Sequence, residues 1–533
     1  MGKPKFVTAA EAVQLVKDND TVGSVGFIGM GHAEEISYEL EKRFLETGSP
    51  KNLTFTWGSS QSDYKSRIGC NRFAYDGLVK RVIAGHIGMQ FDLATMAMEN
   101  KFEAYNIPQG VLMHLIRAKA GNKPCVVTSV GLGTFVDPRE TGGKLNELTM
   151  KQGADLISVI EIDGQEYLMY KTFPINVAII RASTADTRGN LTMEKEGIIL
   201  ENYPMAAAAR ASGGIVIAQV ERVVKEGTLN PQLVRVPGIL VDYVVKCSDP
   251  FAYHRQSYTN YYDPALSGEC KIPLGAIPPL PLDERKVIAR RAAFELKKDA
   301  VVNLGVGIPS QVGDVSAEEK LAEHMTLTVE PGPVGGVPCS GLEFGCAYNP
   351  EALIEHTFQF DMYDGGGLDI AVLGLAEADE EGNVNVSKFG PRIYGAGGFI
   401  NIAQNTETVV FVGTLTAGGL EVSIEDGKVV IVNEGKHKKF IPKVNHKTFS
   451  GDQARKGNQK VLYVTERAVF ELRKDGLTLT EVAPGIDVET QVLSQMGFRP
   501  LIAEQLKIMD ARIFKKGPMG IFDEVLGNDR CVC

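Results

Sequence analysis

INVAIIRASTADTRGN (residues 175–190) and LDIAVLGLAEADEEGN (residues 368–383) align without a gap. Ala178 falls on Ala371, Ala185 on Ala378, Asp186 on Asp379, Gly189 on Gly382 and Asn190 on Asn383. Each stretch is an apolar run into an acidic turn closed by Gly-Asn, which reads as a strand entering a tight turn. A second pair lies upstream in the same order. Residues 9–16 have helical apolar spacing and lead through Asp20 into TVGSVGF; residues 287–296 do the same and lead through Asp299 into AVVNLGVGIP. Two matches in one order indicate an internal duplication. Strands alternating with helical stretches then predict α/β units with mainly parallel sheets.

Between the copies runs KIPLGAIPPLPLDE, residues 271–284, in which Pro273, Pro278, Pro279 and Pro281 exclude a continuous helix or a central strand. The expected division is an N-terminal domain over 1–272, a Pro-rich linker over 273–284 and a C-terminal domain over 285–533. The fold class that follows is α/β, with two similar open α/β domains. Ligands of open α/β sheets bind beyond the carboxyl ends of the strands, so an active site is expected in the cleft between the domains.

Composition excludes several functions. The chain has 533 residues, 44% hydrophobic and 23% charged, enough to bury large cores. Its net charge is −10 and no run of Lys or Arg makes a basic face, so nucleic acid is not an expected partner. The densest cluster, Lys436-His437-Lys438-Lys439, reads as a solvated turn. No stretch approaches the ~18 apolar residues of a membrane span, and no apolar signal core opens the chain. A cytoplasmic location is therefore expected, with no membrane partner. The eight cysteines form no CxxC pair and the eight histidines no HxH or HExxH, so neither a disulfide framework nor a metal site is expected. Cys531 and Cys533 stand in a tail where a thiol could react.

The chemistry centres on HMTLTVEPGPVGGVP, residues 324–338. Residues 325–329 alternate as a strand does, and Glu330 falls where Pro331 stops the ladder. Gly332, Gly335 and Gly336 permit the tight backbone beyond. A carboxylate at a strand tip above a cleft is placed for chemistry, although the segment alone also reads as a solvated turn. In IYGAGGFINIAQN (393–405), Gly395, Gly397 and Gly398 leave N–H groups free to cradle an anion or oxyanion. Gly305 and Gly307, after the strand VVNL, suit a phosphate or pantetheine. Gln109, in Asn106-Ile107-Pro108-Gln109-Gly110, offers a side-chain donor.

With these residues placed, EPGPVGG from Glu330 resembles the E-x-G-x-x-G active-site motif of the family I CoA-transferases, the 3-oxoacid CoA-transferase family. GAGGF at 395–399 resembles their G-x-G-G-F oxyanion motif. The likeness continues through YNIPQGVLMHLIRA (105–118), GGIVIAQVERVVKEGTLNP (213–231) and GGGLDIAVLGLAEAD (365–379), and covers nearly the whole chain. It is nearest to the fused single-chain acetate/propionate CoA-transferases, with an alpha-subunit-like first domain and a beta-subunit-like second one. Departures lie mainly in loops and in the Cys-Val-Cys tail.

The resemblance implies that Glu330 is a covalent nucleophile, with Gly398 and Gln109 serving the oxyanion and Gly305, Gly307, Gly332, Gly335, Gly395 and Gly397 near substrate. It implies ping-pong transfer of coenzyme A between short-chain acids through a glutamyl-CoA thioester. Donors of the acetyl-CoA and propionyl-CoA type are expected, with acetate, propionate, butyrate or lactate as acceptors. No cofactor is expected beyond coenzyme A as substrate, and a homo-oligomer, taken as a tetramer, is expected. A glutamate carboxylate with its ordinary pKa of about 4.3 is ionised at neutral pH and needs no adjacent base. An acyl-CoA hydrolase on the same scaffold is the nearest rival. A nicotinamide enzyme fits poorly, because the third glycine is missing after both Gly305-x-Gly307 and Gly29-x-Gly31.

Overall fold

A computed structural model describes residues 3–273 and 279–527. The centre of the Pro-rich linker and the Cys-Val-Cys tail lie outside the described residues.

The first sheet contains β1 (Lys5–Val7), β2 (Thr21–Ser24), β3 (Leu53–Trp57), β4 (Val79–Ala84), β5 (Glu103–Asn106), β6 (Val177–Asp186), β7 (Ile215–Val224) and β8 (Tyr243–Lys246). Their order is β1-β8-β7-β6-β2-β3-β4-β5, every neighbour parallel. The second sheet contains β9 (Val301–Leu304), β10 (Thr326–Thr328), β11 (Pro333–Val334), β12 (Ala352–Leu353), β13 (Ile370–Gly374), β14 (Thr408–Val412) and β15 (Lys460–Val464). It continues through β16 (Ala468–Arg473), β17 (Gly476–Val482) and β18 (Leu501–Ile508). The run β10-β9-β13-β14-β15 is parallel, with antiparallel partners joining at both sides. The chain is thus α/β with two mainly parallel sheets.

The duplication is structural to the level of hydrogen bonds. β6 lies beside β2 with Gly23 opposite Ala178, and β13 lies beside β9 with Asn303 opposite Ala371. In the first acidic turn, Asp186 Oδ1 accepts the N–H groups of Arg188 and Asn190, both at 2.9 Å, and Gly189 has φ 85°. In the second, Asp379 Oδ1 accepts those of Glu381 (3.1 Å) and Asn383 (2.9 Å), and Gly382 has φ 79°. The aspartate satisfies the turn's donors and the glycine supplies its left-handed residue.

The leading helices are α1 (Ala9–Val13) in the first half and, in the second, one over Glu284–Ala293. Thr8 and Glu11 form a capping box on α1. Both helices end three residues before their apolar spacing does, and the second also begins three residues earlier. In each, the last three residues tighten into i→i+3 bonds, ending at Val16 and Leu296. The chain then enters its strand through a left-handed residue, Asn19 (φ 68°) or Asp299 (φ 59°), types that tolerate it.

The two halves share an apolar core: one continuous cluster contains Phe55, Trp57 and Leu112 from the first, and Phe360, Phe399 and Phe411 from the second. Across the join, α2 (Gln109–Ala120) packs on α3 (His356–Asp364) and α4 (Phe399–Asn405). No helix among the described residues is long and apolar enough to cross a membrane.

Candidate active site

β10 ends at Thr328, and Glu330 projects from its carboxyl tip into a cavity of about 190 Å3 between the halves. Apolar side chains dominate the wall, among them Phe27, Met89, Phe344 and Val386. Gly305, Gly395, Gly397 and Gly398 complete it on one side. A larger hollow, about 810 Å3 beside Arg290 and Pro518, contains none of these groups.

The glycines differ in what they do. Gly398 has φ −78° and ψ −5°, open to any residue, but a Cβ there would stand 2.1 Å from Glu330 Oε2. Gly398 is therefore a glycine for space, and its N–H lies close enough to the Glu330 carboxylate to favour its charged form. Gly395 (φ 93°) and Gly397 (φ 56°) are glycines for conformation. Gly332 and Gly335 do not reach the cavity. They shape the turn behind Glu330, where a Cβ would meet the Ile354 carbonyl at 2.2 Å or the Glu351 side chain at 2.7 Å. Gly307 is exposed and off the wall. The structure thus brings together Glu330, Gln109, Gly305, Gly395, Gly397 and Gly398, and leaves Gly307, Gly332 and Gly335 outside.

The loop over 395–398 comes from the second half yet is stitched to the first. Gly397 N–H donates to the Gly85 carbonyl (2.7 Å), Ala396 N–H to Asn106 Oδ1 (2.8 Å), and Gln109 N–H to the Gly397 carbonyl (2.9 Å). Asn106 is the last residue of β5, Gln109 follows three positions later, and Pro108 caps the start of α2. Gly110 must be small because a Cβ would meet Phe360 at 2.4 Å.

Three helices start at the carboxylate: Gln109 is the first residue of α2, His356 the first of α3, and Gly398 caps α4. The N-termini of α2 and α3 favour negative charge there. Burial nevertheless dominates and pushes the Glu330 carboxyl up to about 7. The Gly398 N–H and the Gln109 amide oppose that shift less strongly. Where the sequence led to the expectation of an ordinary carboxylate, ionised at neutral pH, burial makes this one harder to ionise. His86, on the wall, is held neutral by burial, its pKa lowered to about 4.

Sequence reasoning missed His356 and Glu201. His356 Nδ1 stands 2.8 Å from Glu201 Oε2, and its Nε2 stands 2.8 Å from Gln109 Nε2. Neither residue lies in a glycine loop or a metal-type spacing, and 155 positions separate them.

A family model described as Coenzyme A transferase matches residues 6–247. The chain is 48% identical over 528 residues to the caffeate CoA-transferase of Acetobacterium woodii, covering 98% of this chain and 99% of that protein. It is 43% identical over 520 residues to the acetate CoA-transferase YdiF of Escherichia coli strain K12, covering 97% of each. The crystal structure of the acyl-CoA transferase YdiF apoenzyme from E. coli O157:H7 superposes with a TM-score of 0.92, at 42% identity over 97% of each chain. A crystal structure of the same enzyme described as a thioester complex with CoA superposes equally, at 0.92.

Proposed function

Since the chain belongs to the coenzyme A transferase family and is a CoA-transferase, we propose that Glu330 carries the transfer as a covalent nucleophile. A carboxylate oxygen attacks the acyl-CoA carbonyl, the C–S bond breaks, and CoA thiolate leaves an acyl-glutamyl anhydride. The thiolate then attacks the Glu330 carbonyl carbon and the anhydride C–O bond breaks. This releases the first acid and leaves a glutamyl-CoA thioester. A second carboxylate reverses both steps.

The observation that carries this reading is the pair of donors on Glu330. The Gly398 N–H and the Gln109 amide lie beside its carboxylate and favour its charged form. When thiolate attacks that carbon, the oxyanion forms on an oxygen they hold. Fixed donors in a dry site stabilise such charge without reorganisation. The apolar wall keeps water from the anhydride and thioester, which favours transfer over hydrolysis. Thioester energy is retained throughout, so the reading needs no cofactor beyond coenzyme A. Gly305, Gly395 and Gly397 leave room for the thioester along the wall.

The acids proposed are short-chain: acetyl-CoA or propionyl-CoA as donor, and acetate, propionate, butyrate or lactate as acceptor. The names of the acetate and caffeate CoA-transferase relatives support carboxylic acids as a class. The resemblance extends to a homo-oligomer, with a tetramer as the proposed state, acting in the cytoplasm.

The test is trapping. Incubation with acyl-CoA alone and reduction with borohydride converts the Glu330 carboxyl to an alcohol, found by peptide mass mapping. Reduction at any other residue, or at none, removes the mechanism.

A pH dependence follows from the raised carboxyl. Only the ionised form attacks, and its pKa is about 7. The kcat/KM for acyl-CoA should rise with pH, bend near 7, and fall about tenfold per unit on the acid side. A profile measured at constant ionic strength that stays flat below neutrality contradicts the assignment.

A further inference from the structure

Glu201 takes no part in these steps, although it is a carboxylate with no solvent access, paired to an equally buried histidine. Burying a carboxyl there is costly unless its oxygens are hydrogen-bonded. Its Oε2 meets His356 Nδ1 at 2.8 Å, and the opposite edge of the ring, Nε2, meets Gln109 Nε2 at 2.8 Å. An amide nitrogen only donates, so the ring nitrogen facing it must accept. The ring proton therefore sits on Nδ1, where Glu201 accepts it. The other N–H of the same amide is then free to turn to Glu330, whose charged form the Gln109 amide favours. With the proton on Nε2 instead, the amide would turn its oxygen to the ring. That oxygen would then face the Glu330 carboxylate, acceptor against acceptor.

We propose that Glu201 and His356 are positioning residues: together they lock the His356 tautomer that keeps the Gln109 amide turned donor-first to the reacting carboxylate. The proposal rests on the donor role given to Gln109 above. Two further observations support it. Glu201 Oε1 is buried and has no hydrogen-bond partner among the described residues, a cost that a purely structural pair would avoid. The preceding Leu200 is held at φ 61°, a strained backbone that delivers Glu201 to the ring. Gln109 and Glu201 belong to the first half, His356 and Glu330 to the second. The lock closes only when the halves are docked.

A double-mutant cycle tests it. Glu201→Met removes the acceptor at similar size, and His356→Phe keeps a ring without nitrogens. Each should lower kcat by about ten- to a hundredfold, approaching the loss of one oxyanion donor, while KM for acyl-CoA moves less than about twofold. On a Gln109→Ala background neither should cost more, because the group they orient is gone. Losses that multiply across the two backgrounds, or a wild-type kcat in Glu201→Met, overturn the proposal. Thermal melting identifies a variant that is merely unfolded, and the other then carries the cycle. Gln109→Ala turning over at the wild-type rate would instead remove the donor role itself, and the lock with it. A slow Gln109→Ala combined with multiplying losses sinks only the lock.

Discussion

Glu330→Ala is expected to abolish CoA transfer, with no measurable exchange between acetyl-CoA and a labelled acid. The step has no substitute nucleophile: His86 on the wall is turned to Ser60 through Nδ1, and no other carboxylate lines the cavity among the described residues. Glu330→Asp tests reach. Withdrawing the carboxylate by one methylene takes it from Gly398 N–H and from the thioester, and a displacement of about 1 Å costs on the order of a hundredfold. The isosteric Glu330→Gln separates function from stability. The folded pKa, about 7, lies above the ordinary value of 4.5. The ionised form is thus disfavoured by folding, and its penalty grows as pH rises from about 4.5 and levels off once pH passes 7. Glu330→Gln escapes that penalty. It should be inactive yet more stable than the parent at pH 8, by on the order of 2 kcal/mol, with the difference vanishing near pH 4. Melting curves at the two pH values decide it; equal stability at pH 8 would mean that burial does not strain the carboxylate.

Gly398→Ala is expected to be nearly as damaging, with kcat lowered by about a thousandfold or more. The backbone there permits alanine, so the loss has a single steric origin. The added methyl would sit 2.1 Å from Glu330 Oε2 and 3.0 Å from Phe360. Phe360 is buried in the shared core and does not yield. The carboxylate must move instead, away from the Gly398 N–H that favours its charged form. Removing one oxyanion donor costs about 3–4 kcal/mol of barrier, and displacing the nucleophile adds to that. Single-turnover rates of adduct formation measure the chemical step directly. A rate within tenfold of the parent would mean that the carboxylate works from another position.

Much of this site could be found before folding, because its parts announce themselves locally. Glu330 is marked by a β-branched run that Pro331 ends. The loop over 395–398 is marked by its glycines, of which Gly395 and Gly397 hold a positive φ that excludes most other residues. The acidic turns at Asp186 and Asp379 are visible as a repeated aspartate and Gly-Asn, since a side chain bonding to its own following N–H groups needs no distant partner. Gly332 and Gly335 show where local reading overreaches. Their spacing fits the motif, and the contact that excludes a side chain is with the chain behind the turn, at Ile354 and Glu351. His356 and Glu201 show the opposite failure. Each is an ordinary residue in an ordinary stretch, and only proximity gives it a role.

From the order of its residues alone the chain declares two copies of one α/β plan, a carboxylate at a strand tip and glycine loops to face it, because turns, caps and periodicity are written within a few neighbouring positions. Docking of the two halves decides the rest: the carboxyl raised to about 7, the stitching of the second half's loop to the first, and the link from Glu201 through His356 to Gln109. Desolvation and hydrogen-bond partnership are properties of what surrounds a group, and those surroundings include residues 155 and 247 positions apart.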